Sequence, residues 1–161
     1  MLETLFADLQ DRLAAAVPDL KYVDFNWGQM DDEQPPVKFP CALFDLRACN
    51  FTDKGNGEQV GIADIEIAVF DLNTTNSSAA APANQKATAM RALLLCNAIQ
   101  SALHKWAKQP EAANPYGQLT RISVTRLRRR DRIRQYNIVY RVQLNDVSGD
   151  HPLPTVKFGI V

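Results

Sequence analysis

Two segments of the chain repeat apolar residues at helical spacing. The first covers residues 1–16, where charged residues lie between the apolar ones and predict an amphipathic helix. Its apolar side is formed by Leu2, Leu5, Phe6, Leu9, Leu13 and Ala16. Pro18 ends this helix, because the residue before a proline is disfavoured in the α conformation.

A second and longer helix is predicted over residues 84–108. The apolar residues on one side of it are Ala92, Leu95, Cys96, Ile99, Leu103 and Trp106. Pro110 follows and stops the helix.

Alternation of apolar and polar residues predicts β-strands in the rest of the chain. The predicted strands cover residues 21–27, 37–49, 61–72, 119–128 and 134–146. Pro40 has no amide donor, which places it at a sheet edge or at the start of a paired stretch. The glycine-rich residues 53–57 predict a turn that joins two of the strands into an antiparallel hairpin. The last two strands form a second hairpin.

The element order is a helix, a strand, a hairpin, a second helix and a second hairpin. This order predicts an α+β two-layer sandwich, with a mainly antiparallel sheet of four to five strands packed by two helices. Residues 1–146 are expected to form one domain, and residues 147–161 an extended C-terminal tail. At 161 residues the chain has the length of a single domain that needs no disulfide or metal.

Charge is balanced overall but unevenly distributed. Lys and Arg total 18, as do Asp and Glu, so net charge does not attract the chain to nucleic acid or membrane. Acids dominate residues 1–33, whereas arginines dominate residues 121–141, where Asp131 is the one acid. Opposite charges at two places favour pairing between copies of the chain, or use of the basic part on an external polyanion.

Candidate chemistry is sparse. His104 and His151 have no cysteine or acid at metal-ligand spacing. The three cysteines have no CxxC spacing and are expected to be small buried side chains in a reducing compartment. The run 31–33 consists of consecutive acids in a polar loop, which is typical of solvated charge. No apolar stretch is long enough to span a membrane. We therefore predict no catalytic, metal or cofactor site.

The most distinctive polar feature is a group of arginines around the turn of the second hairpin. Its members are Arg126, Arg128, Arg129, Arg130, Arg132 and Arg134. Three interpretations apply: a solvated hairpin tip, a docking surface for an acidic neighbour, and a phosphate contact. Exposed stacking aromatics, which nucleic-acid modules usually add, are not predicted here. We therefore predict that these arginines form a subunit or partner interface.

The order of elements resembles that of the tail terminator (tail-completion) and neck proteins of tailed bacteriophages. The resemblance rests on the leading helix, the Phe39-Pro40 segment, a hairpin ending at residues 65–70, a helix over residues 90–106 and a strong last strand at residues 136–142. It implies a homo-oligomeric ring, typically of six subunits, that caps the tail tube and contacts the head–tail connector. DNA would pass through the lumen without sequence-specific binding. The protein would be found in the host cytoplasm during assembly and then in the virion tail.

A second hypothesis remains open at this point. The chain is then a small nucleic-acid-binding or regulatory protein that uses the arginines of residues 126–134 on phosphate. The two hypotheses differ in the oligomer expected and in how steeply binding to DNA depends on salt.

Overall fold

The computed structural model describes residues 1–72, 75, 77–108, 115–129, 131–147 and 149. Its elements follow the predicted order. They are α1 (Leu2–Ala16), β1 (Tyr22–Phe25), a 3-10 turn (Gln29–Asp31), β2 (Cys41–Gly55), β3 (Glu58–Leu72), α2 (Ala83–Leu103), β4 (Thr120–Leu127) and β5 (Ile133–Asp146). Of the predicted tail, only residues 147 and 149 lie within the described part of the chain, as does only part of the 73–83 connection.

The five strands form one sheet in the order β1-β2-β3-β5-β4. Strand β1 runs parallel to β2, and every other pairing is antiparallel. The two hairpins thus lie side by side, with β3 and β5 at the centre and with β1 and β4 at the two edges. This confirms the predicted α+β fold and its mainly antiparallel sheet.

The hairpin between β2 and β3 is longer than predicted. Asn56 (φ 57°) and Gly57 (φ 81°) adopt left-handed conformations, and Gly55 pairs directly with Glu58. Two such residues in succession form the tight turn whose twist matches that of paired strands. Strand pairing therefore continues up to this turn and shortens the predicted loop. Strand β2 begins at Cys41, directly after Pro40, as expected for a residue without an amide donor.

Both helices pack on the same face of the sheet and enclose the main core. Every side chain at the centre of this core is fully buried. They are Leu5, Leu9 and Leu13 of α1, Ile99 and Leu103 of α2, Ile65 and Ile67 of β3, and Ile138 and Tyr140 of β5. The core residues of β3 and β5 thus alternate along the chain, as the predicted strands require.

Two details of the helices differ from the prediction. Ala16 is exposed, and Val17 is buried in its place. Helix α2 ends at Leu103 instead of continuing to residue 108, because Lys105 takes a left-handed conformation (φ 61°). Its backbone N–H donates to the carbonyl of Leu119 at 2.7 Å. The chain after α2 thus pairs with the segment leading into β4, and Trp106 packs on the core from outside the helix.

The opposite face of the sheet is covered at one end only. Met30 packs there on Cys41, Leu43, Ala68 and Phe70 in a second, smaller apolar cluster. The rest of this face is mainly polar, and Ile62 of β3 is an exposed apolar residue on it. It includes the ion pair between Arg141 and Asp64, with N–O distances of 2.8 and 3.0 Å. Neither α1 nor α2, within the described residues, combines the length and hydrophobicity of a membrane-spanning helix.

Candidate interaction surfaces

The predicted arginine group does not form one patch in the structure. Arg126 lies near the end of β4, Arg134 lies near the start of β5, and Arg128, Arg129 and Arg132 lie in the turn between them. Arg130 lies outside the described residues. The five described arginines divide into two that bind their own chain and three that are exposed.

Arg129 is the first of the two arginines with partners in its own chain. It donates from Nε and Nη2 to the Asp131 carboxylate at 2.9 and 2.8 Å, and from Nη2 to the carbonyl of Met30 at 3.3 Å. Its guanidinium carbon lies 5.9 Å from the centre of the Phe70 ring, within cation–π range. The hydrogen bond from Arg129 lowers the pKa of Asp131. Arg129 therefore holds the turn against the loop that covers the smaller cluster.

The contact between Arg129 and Met30 brings the acidic loop of residues 31–33 close to the arginine turn. Asp31, Asp32 and Glu33 line the same recess as Arg129 and Asp131. The acidic loop and the arginine turn thus lie next to each other within one chain. The sequence favoured pairing of these opposite charges between copies. In the structure the two regions are neighbours within one copy, and Arg129 contacts the acidic loop through the carbonyl of Met30.

Arg134 is the second arginine with partners in its own chain. It donates to the carbonyl of Ala89 in α2. Opposite it in β3 is Asp71, which is fully buried. Its carboxylate accepts from Arg91, whose Nε lies 3.1 Å from both carboxylate oxygens and whose Nη2 also donates to Oδ1. These contacts tie the first half of α2 to the sheet, so Arg134 has a structural role.

Arg126, Arg128 and Arg132 are exposed and have no hydrogen bond or ion pair to any other described residue. Arg126 stands on the helix side of the sheet, opposite Tyr136 in the strand register. Together with Tyr136, Met90 and Leu93 it lines a groove of about 300 Å³ between α2 and the β4–β5 pair.

The edge of the sheet beside this groove is apolar. We define the β4 rim as Met90, Leu93, Val124 and Arg126, with Leu94 and Ile122 flanking it. The exposed fractions are 48% for Met90, 43% for Leu93, 43% for Val124, 60% for Leu94 and 47% for Ile122. Strand β4 pairs with β5 on one side and has no described strand on the other. An edge strand of eight residues without proline is a site for pairing with another chain.

The sequence contained a signal for the part of the β4 rim that α2 contributes. Residues 92–95 include three consecutive leucines after an alanine, so apolar residues occur around most of α2. A helix that is apolar on more than one side contacts more than one neighbour. The predicted core side included Leu95 and left out Leu93 and Leu94, and in the structure Leu95 is buried whereas Leu93 and Leu94 are exposed.

The opposite edge of the sheet carries two exposed aromatic residues, Phe25 at 43% and Trp27 at 61%. We call this pair the β1 edge. Phe25 packs on Phe6 and Phe44 with ring centroids 5.4 and 4.9 Å away, so one side of its ring belongs to the core. The Trp27 side chain is the more exposed of the two and carries no comparable ring contact to Phe6 or Phe44.

The backbone that carries Trp27 is nevertheless fixed. Gln29 is fully buried. Its Oε1 accepts from the N–H of Trp27 at 2.9 Å, and its Nε2 donates to the carbonyl of Phe25 at 2.8 Å. Gly28 completes the turn in a left-handed conformation (φ 93°). An exposed tryptophan on a fixed backbone loses little conformational entropy on binding, which is typical of an interface anchor.

The described residues contain no group of histidine, cysteine and acidic side chains that could hold a metal ion. Burial, with the Asp71 carboxylate adding to it, raises the pKa of the Cys41 thiol to about 12. Burial also raises the pKa of Cys96 to about 11. Thiols with such values are protonated at neutral pH and are poor nucleophiles.

Asp8 is the second charged side chain buried in the core. It accepts hydrogen bonds from Lys108 and, at 2.6 Å, from the Tyr116 hydroxyl. Burial opposes ionisation of Asp8, but the two hydrogen bonds outweigh it and the pKa lies below its ordinary value. Asp8 thus ties α1 to the segments on either side of residues 109–114, a structural use of a carboxylate.

No protein-family model matches the chain, and no curated protein matches it in sequence. Among solved structures it is similar to a chain of the virion of a native gene transfer agent particle. That chain is 16% identical, the match covers 87% of this chain and 86% of the other, and the TM-score is 0.45. At this identity and TM-score the likeness carries no argument about function, and the surfaces described above stand on their own geometry.

Proposed function

We propose that the chain is a structural subunit of a phage or prophage tail, a tail terminator or head–tail junction protein. In this proposal the subunits form a ring, hexameric as in the family that the sequence resembles, which caps the tail tube. The observation that carries the proposal is that the sheet has two different edges, each with exposed apolar residues. Closed rings are built from such unlike surfaces, since each subunit meets its two neighbours through different faces.

Features of the described residues support a structural role. Asp8 and Asp71, the buried carboxylates, bind groups that join elements of the fold. The thiols of Cys41 and Cys96 are protonated at neutral pH. The two carboxylates have partners in the fold, whereas the exposed Arg126 side chain has no hydrogen bond or ion pair to another described residue.

The partners follow from the same proposal. The ring contacts the tail tube protein on one side and a head–tail connector protein on the other, and DNA passes through its lumen without sequence-specific contacts. Arg128 and Arg132 are exposed and would be available to an acidic neighbour or to phosphate. Assembly takes place in the host cytoplasm, and the finished ring is part of the virion tail.

The mass of the purified protein in solution tests this proposal. Light scattering at several concentrations and two salt levels is expected to give a hexamer-sized species, or a monomer that closes into one as concentration rises. Electron microscopy of the large species is expected to show rings. A monomer at every concentration, also in the presence of purified tail tubes, would contradict the proposal.

The role of the arginine turn needs a separate test. Arg129 is unsuitable, because replacing it breaks the contacts to Asp131 and Met30 and would disturb the turn itself. Arg128→Glu combined with Arg132→Glu leaves those contacts intact. If the turn lies in an interface, this double variant weakens ring formation or binding to the tube. An unchanged mass and unchanged tube binding would remove the turn from the interface but would leave the ring in place.

A second candidate function is binding of nucleic acid by the same exposed arginines. The observation in its favour is that Arg126, Arg128 and Arg132 have no partner among the other described residues. It predicts a monomer or dimer whose affinity for duplex DNA falls steeply as salt rises, because phosphate contacts release counterions. Affinity that is insensitive to salt, or no binding at low salt, would exclude it.

A further inference from the structure

We infer that one copy of the chain binds the next by placing the β1 edge against the β4 rim, with Trp27 as the anchor in the groove beside α2. The inference rests on the proposed ring and names the two surfaces that would form each contact. The two surfaces lie at opposite ends of the strand order. A subunit therefore presents one surface to each neighbour. The partner of both surfaces is another copy of the same chain.

The apolar parts of the two surfaces match in kind and size. The β1 edge offers an aromatic ring that is 61% exposed on a backbone held by buried Gln29. The rim offers the aliphatic side chains of Met90, Leu93 and Val124, each between 43% and 48% exposed. The groove beside them has a volume of about 300 Å³, which is the small end of the range for sites that hold a ligand. Such a site suits a single large side chain.

The charges of the two surfaces are also complementary. Arg126 stands in the groove without a hydrogen bond or ion pair to another described residue. Beside Trp27, strand β1 carries Asp24, whose carboxylate accepts from the Tyr22 hydroxyl at 2.6 Å. The neighbouring strand β2 carries exposed Asp45 and exposed Arg47. Lys21, just before β1, is the nearest basic residue in sequence. Arg126 at the rim thus meets a strand that carries the Asp24 carboxylate and no basic side chain.

Pairing of like edges is less favourable. Two β4 rims face to face would bring Arg126 and Arg121 of one copy against the same arginines of the other, and like charges across paired strands are destabilising. Two β1 edges would join strands of only four residues. Contact between unlike edges also uses the four-residue β1, but it avoids the repulsion between arginines. Because it is heterologous, it continues from subunit to subunit until the ring closes.

The test uses one variant for each surface. Trp27→Asp removes the anchor from the β1 edge, and Leu93→Asp places a charge in the rim. Each variant alone is expected to be monomeric at concentrations where the wild type assembles, with its dissociation concentration raised at least about 30-fold, as for the loss of an interface hot spot. Circular dichroism checks that both variants are folded. Ile62→Asp is the matched control, because Ile62 is 40% exposed in the central strand β3, away from both edges.

Mixing the two variants gives the decisive result. The Trp27 variant keeps an intact rim and the Leu93 variant keeps an intact β1 edge, so an equal mixture is expected to form dimers and no larger species. If either variant assembles alone, or if the mixture stays monomeric, the inference is wrong although the ring stands. If the wild type itself is monomeric under every condition, the proposed function fails first. Loss of assembly in the Ile62 control would show that any added charge disrupts the oligomer and would also overturn the assignment.

Discussion

The core and the β4 rim are built from the same kinds of side chain but differ in what covers them. Ile99 and Ile138 in the core are fully buried between the helices and the sheet, whereas Leu93 and Leu94 in the same helix as Ile99 are 43% and 60% exposed. The packing of the two layers is therefore complete without the rim. Apolar residues that the fold does not need for its own stability are available for contact with another chain.

The largest difference is expected between two residues of α2. Ile99→Ala deletes a fully buried side chain and should lower the free energy of unfolding by about 2–5 kcal/mol. Leu94→Ala removes a side chain that is 60% exposed and should change it by less than about 0.5 kcal/mol. Urea unfolding followed by circular dichroism, at a concentration where the protein is monomeric, measures both values. Equal losses would show that Leu94 also belongs to the core.

Helix α2 also shows how far sequence reasoning extends. Its core side was predicted correctly from the spacing of Ala92, Leu95, Cys96 and Ile99, because burial against a sheet selects residues at helical spacing. The predicted end of the helix at residue 108 was wrong, since the left-handed turn at Lys105 depends on a hydrogen bond to Leu119. Such a contact between distant residues leaves no local signal.

The arginines illustrate the same limit. The sequence identified the group but not its division, because Arg129 and Arg134 each donate to a backbone carbonyl far away along the chain, that of Met30 and that of Ala89. Side-chain bonds to carbonyls have no sequence signature. The order of the strands in the sheet was likewise beyond prediction, and it is this order that places Trp27 and Arg126 at opposite edges.

The second largest difference in the free energy of unfolding is expected between two arginines, one that binds a buried carboxylate and one in the β4 rim. Arg91→Met leaves the fully buried Asp71 carboxylate without its cation. Breaking a buried pair costs about 3–5 kcal/mol, and solvent at the 41% exposed Arg91 side chain should bring the loss to about 3 kcal/mol or less. Arg126→Met removes an arginine of the rim and should have little effect on the unfolding of the monomer. A similar loss in both variants, measured by urea unfolding, would mean that Arg126 has a structural partner.

A smaller effect is expected at the buried carboxylate of α1. Tyr116→Phe removes one of the hydrogen bonds to Asp8 and should cost about 1.5–2 kcal/mol, as for hydrogen bonds to charged groups. Because the pKa of Asp8 is lowered in the folded state, its contribution is present above the unfolded value and is lost as pH falls through the folded value.

The pH dependence therefore tests the origin of that effect. The variant should have a less depressed Asp8 pKa, so its stability should fall less steeply than that of the wild type below the ordinary value of 3.8. Urea unfolding at neutral and acidic pH measures this difference. A constant gap between the two proteins at every pH would show that the Tyr116 hydroxyl acts through packing and not through the ionised carboxylate.

The smallest effect is expected at the β1 edge. There Phe25 packs on the core, whereas Trp27 is exposed like the residues of the β4 rim. Phe25→Ala removes ring contacts to Phe6 and Phe44 and should cost about 1 kcal/mol, the order found for aromatic pairs. Trp27→Ala should change the stability of the monomer by less than about 0.5 kcal/mol, because its ring is 61% exposed. Thermal unfolding of dilute protein gives both values. If Trp27→Ala costs the monomer more than Phe25→Ala does, the Trp27 ring is part of the fold and not an anchor for a second copy.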